Sequence, residues 1–136
     1  MTPKYKTLEE SPVWQEVSKL SESIRKQYRD INSDDENKEW TITYNLRQSL
    51  AGMVVDAAAA AGSIDPRDIF WNYGKVRQSL FTVKATLKLA YKESIIKIDP
   101  EDMLKIDTAT AQVDKELKEA EKNIKVWHSL MSSEKQ

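Results

Sequence analysis

The stretch Lys97–Met131, KIDPEDMLKIDTATAQVDKELKEAEKNIKVWHSLM, decides the fold. Asp99-Pro100 is a helix start: the aspartate side chain can accept a first-turn N–H, and proline lacks only an N–H that the helix would leave unpaired. Glu101 and Asp102 add negative charge at the positive end of the helix dipole. Residues then recur at Met103, Ile106, Thr110, Val113, Leu117, Ala120, Ile124, Trp127 and Met131, in alternating steps of three and four. That period lays one stripe along a helix, whereas a strand would need alternation by two. At about 1.5 Å per residue, a helix over 100–132 is a rod of roughly 50 Å.

The same signal stands upstream. Asp65-Pro66, with Asp68 in the first turn, opens a helix over 66–95 whose stripe is Ile69, Tyr73, Val76, Leu80, Val83, Leu87 and Ala90. Before it, a helix over 37–61 ends at Gly62, which is expected as the C′ residue in the left-handed conformation. Ser11-Pro12 starts the first helix, over 12–31, with Val13, Val17, Leu20, Ile24, Tyr28 and Ile31 on one side and Asn32-Ser33-Asp34-Asp35 as a polar stop. Four long stripes joined by short connections predict an all-α, antiparallel, up-down-up-down four-helix bundle. The 136 residues form one domain, with residues 1–10 as a flexible or partly ordered N-terminal segment.

Composition excludes several chemistries. No cysteine is present, so disulfides, thiolate metal sites and a cysteine nucleophile are out, and a reducing cytoplasm is the expected setting. Twenty-one basic and twenty-two acidic side chains leave a net charge of −1, with no global field to draw nucleic acid or anionic lipid. The N-terminal residues are polar, with no apolar run, and are not expected to act as a signal peptide. Arg47 and Asp56 interrupt the least charged run, which argues against a membrane span.

The second helix stands apart. From Trp40 to Gly62 its only charges are Arg47 and Asp56. Apolar residues there cover more than one face, and a helix apolar nearly all round is buried nearly all round. A partner subunit would explain this, with Leu46, Leu50, Gly52, Met53, Val55 and Ala59 as the expected oligomer interface. Alanine as a surface-tolerant helix former is the plainer account. Arg47 is expected either to form a structural ion pair, with Asp56 or with a neighbouring helix, or to snorkel at the bundle edge.

On the third helix Arg77, Lys84, Lys88 and Lys92 share a face and make a candidate nucleic-acid surface, although solvated helices commonly carry such cations. The acidic side of the fourth helix offers the alternative of complementing them within or between subunits. The lone histidine, His128, has no second histidine or cysteine with which to build a metal site, and carboxylate-bridged di-iron bundles need two. Gly52, Gly62 and Gly74 stand singly, so no phosphate loop exists. No catalytic or metal-binding residue is nominated, no cofactor is expected, and the protein is not expected to be an enzyme. Trp14, Trp40, Trp71 and Trp127 are expected as core or interface anchors.

Three stretches carry a family resemblance: Val13-Trp14-Gln15-Glu16-Val17 continuing to Leu20 and Ile24; Asn45-Leu46-Arg47-Gln48-Ser49-Leu50 followed by small residues and Gly62; and Gln78-Ser79-Leu80 with Val83 and Leu87. In order and spacing they resemble the bacterial four helix bundle protein family, first noticed as reading frames within intervening sequences of 23S rRNA genes. The resemblance covers Ser11 to Ala90 and implies a homopentamer, in a family where many members have no assigned activity. Related accessory variability determinants of diversity-generating retroelements bind a reverse transcriptase and nucleic acid through a strongly basic surface. This chain departs from that group in its balanced charge. It also has Asp56 and alanines where the family has asparagine and glutamate before the closing glycine. The expectation is therefore a cytoplasmic, self-associating scaffold or adaptor, with binding to nucleic acid or a reverse transcriptase through the third helix as the alternative.

Overall fold

The computed structural model describes residues 2–28 and 36–134. It is all-α: α1 Pro12–Gln27, α2 Glu36–Gly62, α3 Pro66–Lys92 and α4 Pro100–Glu134, preceded by a single 3-10 turn at Leu8–Glu10. The three start signals act as their side chains suggest. Ser11 Oγ accepts from the Trp14 N–H at 3.2 Å. Asp65 Oδ1 accepts from the Arg67 N–H at 2.9 Å, and Asp99 Oδ1 from the Glu101 N–H at 2.9 Å.

The stops differ from expectation. α1 gives way at Tyr28, whose N–H still bonds the Ile24 carbonyl; Ile31 and the polar stop at 32–35 lie outside the described residues. Gly62 is not left-handed, since no glycine among the described residues has positive φ. It is the last helical residue of α2, and the turn beyond it is closed by the Ser63 hydroxyl, which donates to the Ala59 carbonyl at 2.6 Å. The left-handed residue is instead Ser94, at φ 59° after α3. Its N–H bonds the Tyr91 carbonyl at 3.0 Å while the Ile95 N–H bonds the Ala90 carbonyl at 2.8 Å, the paired bonds of a Schellman end. That closure ends α3 at Lys92, three residues before the sequence pattern would.

Helices adjacent in the chain pack against each other, and α1 closes the bundle against α4. The core collects Val13, Val17, Leu20 and Ile24 from α1, Leu46, Leu50, Met53 and Ala57 from α2, Tyr73, Val76, Leu80, Val83 and Leu87 from α3, and Ile106, Ala109 and Val113 from α4. Each fully buried Leu or Val contributes about 1.5–3 kcal/mol of transfer free energy. The stripe of α4 is rotated slightly from the predicted one. Asp102, Ile106, Ala109, Val113, Glu116 and Ala120 point inward, while Met103, Thr110 and Leu117 flank them. The core-facing row of α4 thus contains two carboxylates.

Candidate interaction surface

The residues expected at a subunit interface divide into two sets. Leu46, Leu50 and Met53 are buried in the chain's own core and are not available to a partner. Gly52 faces α3, where an added Cβ would stand 3.8 Å from Ser79 Oγ. Only Val55 and Ala59 point outward. The correction has a simple cause: α2 lies between α1 and α3, so most of its circumference is covered by its own neighbours.

What remains outside is ordered. Tyr44, Gln48, Ala51, Val55, Ala59 and Gly62 are all exposed and recur every three or four residues along α2. On α3, Trp71, Gln78, Phe81, Ala85, Leu89 and Lys92 do the same, with half-buried Gly74 completing the row. These are second heptad rows, rotated away from the core rows of the same helices. On α2 the row borders α1, since Gln48, Ala51 and Val55 line grooves with Glu22 and Arg25, while the α2–α3 contact is bridged by Lys75 Nζ and Asp56 Oδ1 at 3.2 Å. Trp71 is 68% exposed and Val55 66%. Phe70, Phe81 and Leu89 are exposed as well, and large apolar side chains gathered on one side of a helix are the usual mark of a contact surface.

The ion pair expected between Arg47 and Asp56 does not form. Nine residues along one helix is a rise of about 13.5 Å, beyond the reach of two side chains. Asp56 turns to Lys75 of α3, and Arg47 sits exposed on the rim of a groove between α1 and α2, with Arg25 on the opposite rim. The basic row of α3 is largely neutralised. Arg77 Nε donates to Asp114 Oδ1 at 2.7 Å and its guanidinium lies 4.6 Å from the Phe81 ring centre. Lys84 Nζ meets Asp107 Oδ1 at 2.7 Å. Of the four expected cations, Lys88 and Lys92 form no ion pair among the described residues; α4 supplies the acids that meet Arg77 and Lys84 within the same chain.

The tryptophans also separate. Trp14 packs partly buried against the core and Trp127 is half-buried. Trp71 is in solvent, and the Trp40 side chain lies outside the described residues. Arg67 stacks over Trp127 at 4.6 Å, and His128 meets the same ring edge-on at 5.6 Å. Among the described residues no group of three or more His, Asp or Glu side chains is placed to hold a metal ion, and no helix is long and apolar enough to cross a membrane.

Sequence reasoning missed one polar constellation. Residues 2–10 are tied to α4: Lys4 Nζ lies 3.1 Å from Glu116 Oε2 and 2.7 Å from Glu119 Oε2, and Tyr5 Oη donates to Glu116 Oε1 at 2.9 Å. Glu116 is 6% exposed. Burial works against the Lys4 ammonium, but its bonds to Glu119 and Glu116 outweigh that and raise its pKa. Burial raises the Tyr5 and Tyr73 hydroxyls, with the Glu116 carboxylate adding to both. The available signal was Glu116 itself, which stands three residues after Val113 and four before Ala120, in the rotated row.

No family model, curated protein or solved structure matches the chain. The class is set by the fold: a four-helix bundle whose two central helices carry apolar rows on the outside as well as the inside.

Proposed function

We propose that the protein is a non-catalytic, self-associating helical bundle that serves as a scaffold or adaptor, with the outward rows of α2 and α3 forming the contact between copies. The carrying observation is the pair of rows that place Trp71 and Val55 in solvent on adjacent helices. Exposed tryptophan and phenylalanine are the side chains that most often dominate binding energy at interfaces. The sequence resemblance supplies a ring of five bacterial, cytoplasmic copies as the expected form.

Size-exclusion chromatography with light scattering tests this at micromolar concentration. The expected result is an assembly larger than one chain, which Trp71→Glu and Val55→Glu each dissociate without lowering the melting temperature of the fold. A strict monomer would sink the proposal, and so would an assembly that both variants leave intact. Binding to nucleic acid or a reverse transcriptase through α3 has less support, because Asp114 and Asp107 already neutralise Arg77 and Lys84.

A further inference from the structure

The N-terminal unit, Thr2–Tyr28, is attached to the rest of the bundle differently from the other helices. α1 spans 16 residues, against 27 in α2, 27 in α3 and 35 in α4. Its apolar side is well buried in the common core, but the border of the unit with α4 is polar at both ends. At one end Lys4 and Tyr5 bond Glu116. At the other, Ser23 Oγ donates to Asp102 Oδ1 at 3.3 Å, and Gln27 donates to Asp99. In every one of these contacts the N-terminal unit brings the donor, and α4 or the turn before it brings the carboxylate.

Among the described residues, three buried side-chain polar atoms find no hydrogen-bond partner: Glu16 Oε2, Ser18 Oγ and Asp102 Oδ2. Two of them are on α1, and the third belongs to the carboxyl group that Ser23 of α1 holds by its other oxygen. Buried polar atoms without partners cost free energy that well-packed segments avoid. Asp102 places one such atom at the border with α4, and Ser18 places another in the groove that α1 makes with α2. Segments held in this way are the ones that open first, as units, below the threshold of global unfolding.

We propose that Thr2–Tyr28 is a latch that undocks as one unit from the α2–α3–α4 body, held shut while Asp102 keeps its proton and loosened when Asp102 ionises. Asp102 is 1% exposed. Burial raises its pKa, and the neighbouring Asp99 carboxylate pushes the same way; Ser23, Lys105 and Tyr28 act against them. α1 thus faces this carboxyl with hydroxyls, the preceding turn faces it with a second acid, and the cation that acts on it among the described residues, Lys105, comes from the next turn of α4 itself. Protonated, the group is a neutral carboxylic acid beside a serine. Ionised, it is a buried charge with one oxygen unanswered, and separating α1 from α4 returns it to water.

Hydrogen exchange read by mass spectrometry on the full chain tests the proposal, with rates corrected for the intrinsic pH dependence of exchange. In the wild type at neutral pH, α1 amides are expected to open more readily than those of α3. That gap should narrow by roughly tenfold for each unit by which the Asp102 pKa is raised as the pH falls toward about 4. Asp102→Asn, which keeps the shape and removes the charge, is expected to protect α1 at neutral pH, leave α3 unchanged and flatten the pH response. A carbon-detected NMR titration of Asp102 in the wild type provides a second readout that needs no variant. Joint opening of α1 and α3 in one global event overturns the proposal. So does an α1 pH response that survives in Asp102→Asn, or an Asp102 titration at or below the ordinary carboxylate range.

Discussion

Ser94 holds a left-handed conformation that favours glycine, in a Schellman turn whose hydrogen bonds leave it no alternative. Ser94→Gly removes the Cβ conflict, and although it frees the unfolded chain, the expected net gain is roughly 0.5–1 kcal/mol. Urea denaturation reads this directly, and a loss of stability would mean that the serine side chain supports the turn in some other way. Lys4 is a second case. Stripping the partner from a buried charge costs about 3–5 kcal/mol when the pair is fully desolvated. Lys4 is 42% exposed and Tyr5 still bonds Glu116 in its absence, so Lys4→Ala is expected to cost roughly 1–2 kcal/mol. Glu116→Leu combined with Lys4→Ala should recover most of that loss, because the apolar pair leaves no buried charge behind. A double variant no more stable than Lys4→Ala alone would show that Glu116 is solvated in its place.

At the scale of the elements, the serine–proline and two aspartate–proline starts were legible because each cap is a local event, decided by residues two or three apart. The stripes of α1 and α3 were legible for the same reason: their core rows contain no polar competitor. The core row of α4 sits one position from the apolar period at several turns because Asp102 and Glu116, which look like surface acids in the sequence, are buried. Their burial depends on Ser23 and on Lys4, which are roughly eighty and more than a hundred residues away along the chain, and no local pattern contains that information. α2 misled for a different reason. Its apolar circumference is real, but packing on two sides by α1 and α3 absorbs Leu46, Leu50 and Met53, and only the Ala51–Val55–Ala59 side remains. Reading one helix at a time cannot show which neighbour takes which face. The outward row of α3, with Trp71 and Phe81, was visible in the sequence as apolar residues off the main stripe. Substituting Phe81→Ser on that row is expected to change fold stability by less than about 1 kcal/mol, since the ring is half in solvent, and to weaken self-association at the same time. Equal losses in both measurements would place the ring in the fold rather than at a contact.

For the molecule as a whole, acid and base act on opposite terms. Asp102 has a raised pKa in the folded state, so its share of stability is complete below the unfolded value of about 3.9 and is lost as pH climbs through the folded value. Asp99 is lowered, first by its bond from Gln27 and then by the Glu101 N–H. Its share is present above about 3.9 and is lost as pH falls through its folded value. Asp65, lowered by Arg67, follows Asp99. Denaturation midpoints of wild type and Asp102→Asn should therefore converge toward about pH 4 and separate toward neutrality, with the variant the more stable. Curves that stay parallel would assign no pH-dependent role to that carboxyl.

Arg67, in the first turn of α3, stacks on Trp127 of α4, and Leu130, one turn further along, lines a groove with Ser63, Ile64 and Pro66. A turn or two of helix without tertiary contacts is only marginally stable in water, so the guanidinium–indole stack gives α4 a tertiary hold two turns past Ala120, its last buried residue among those described.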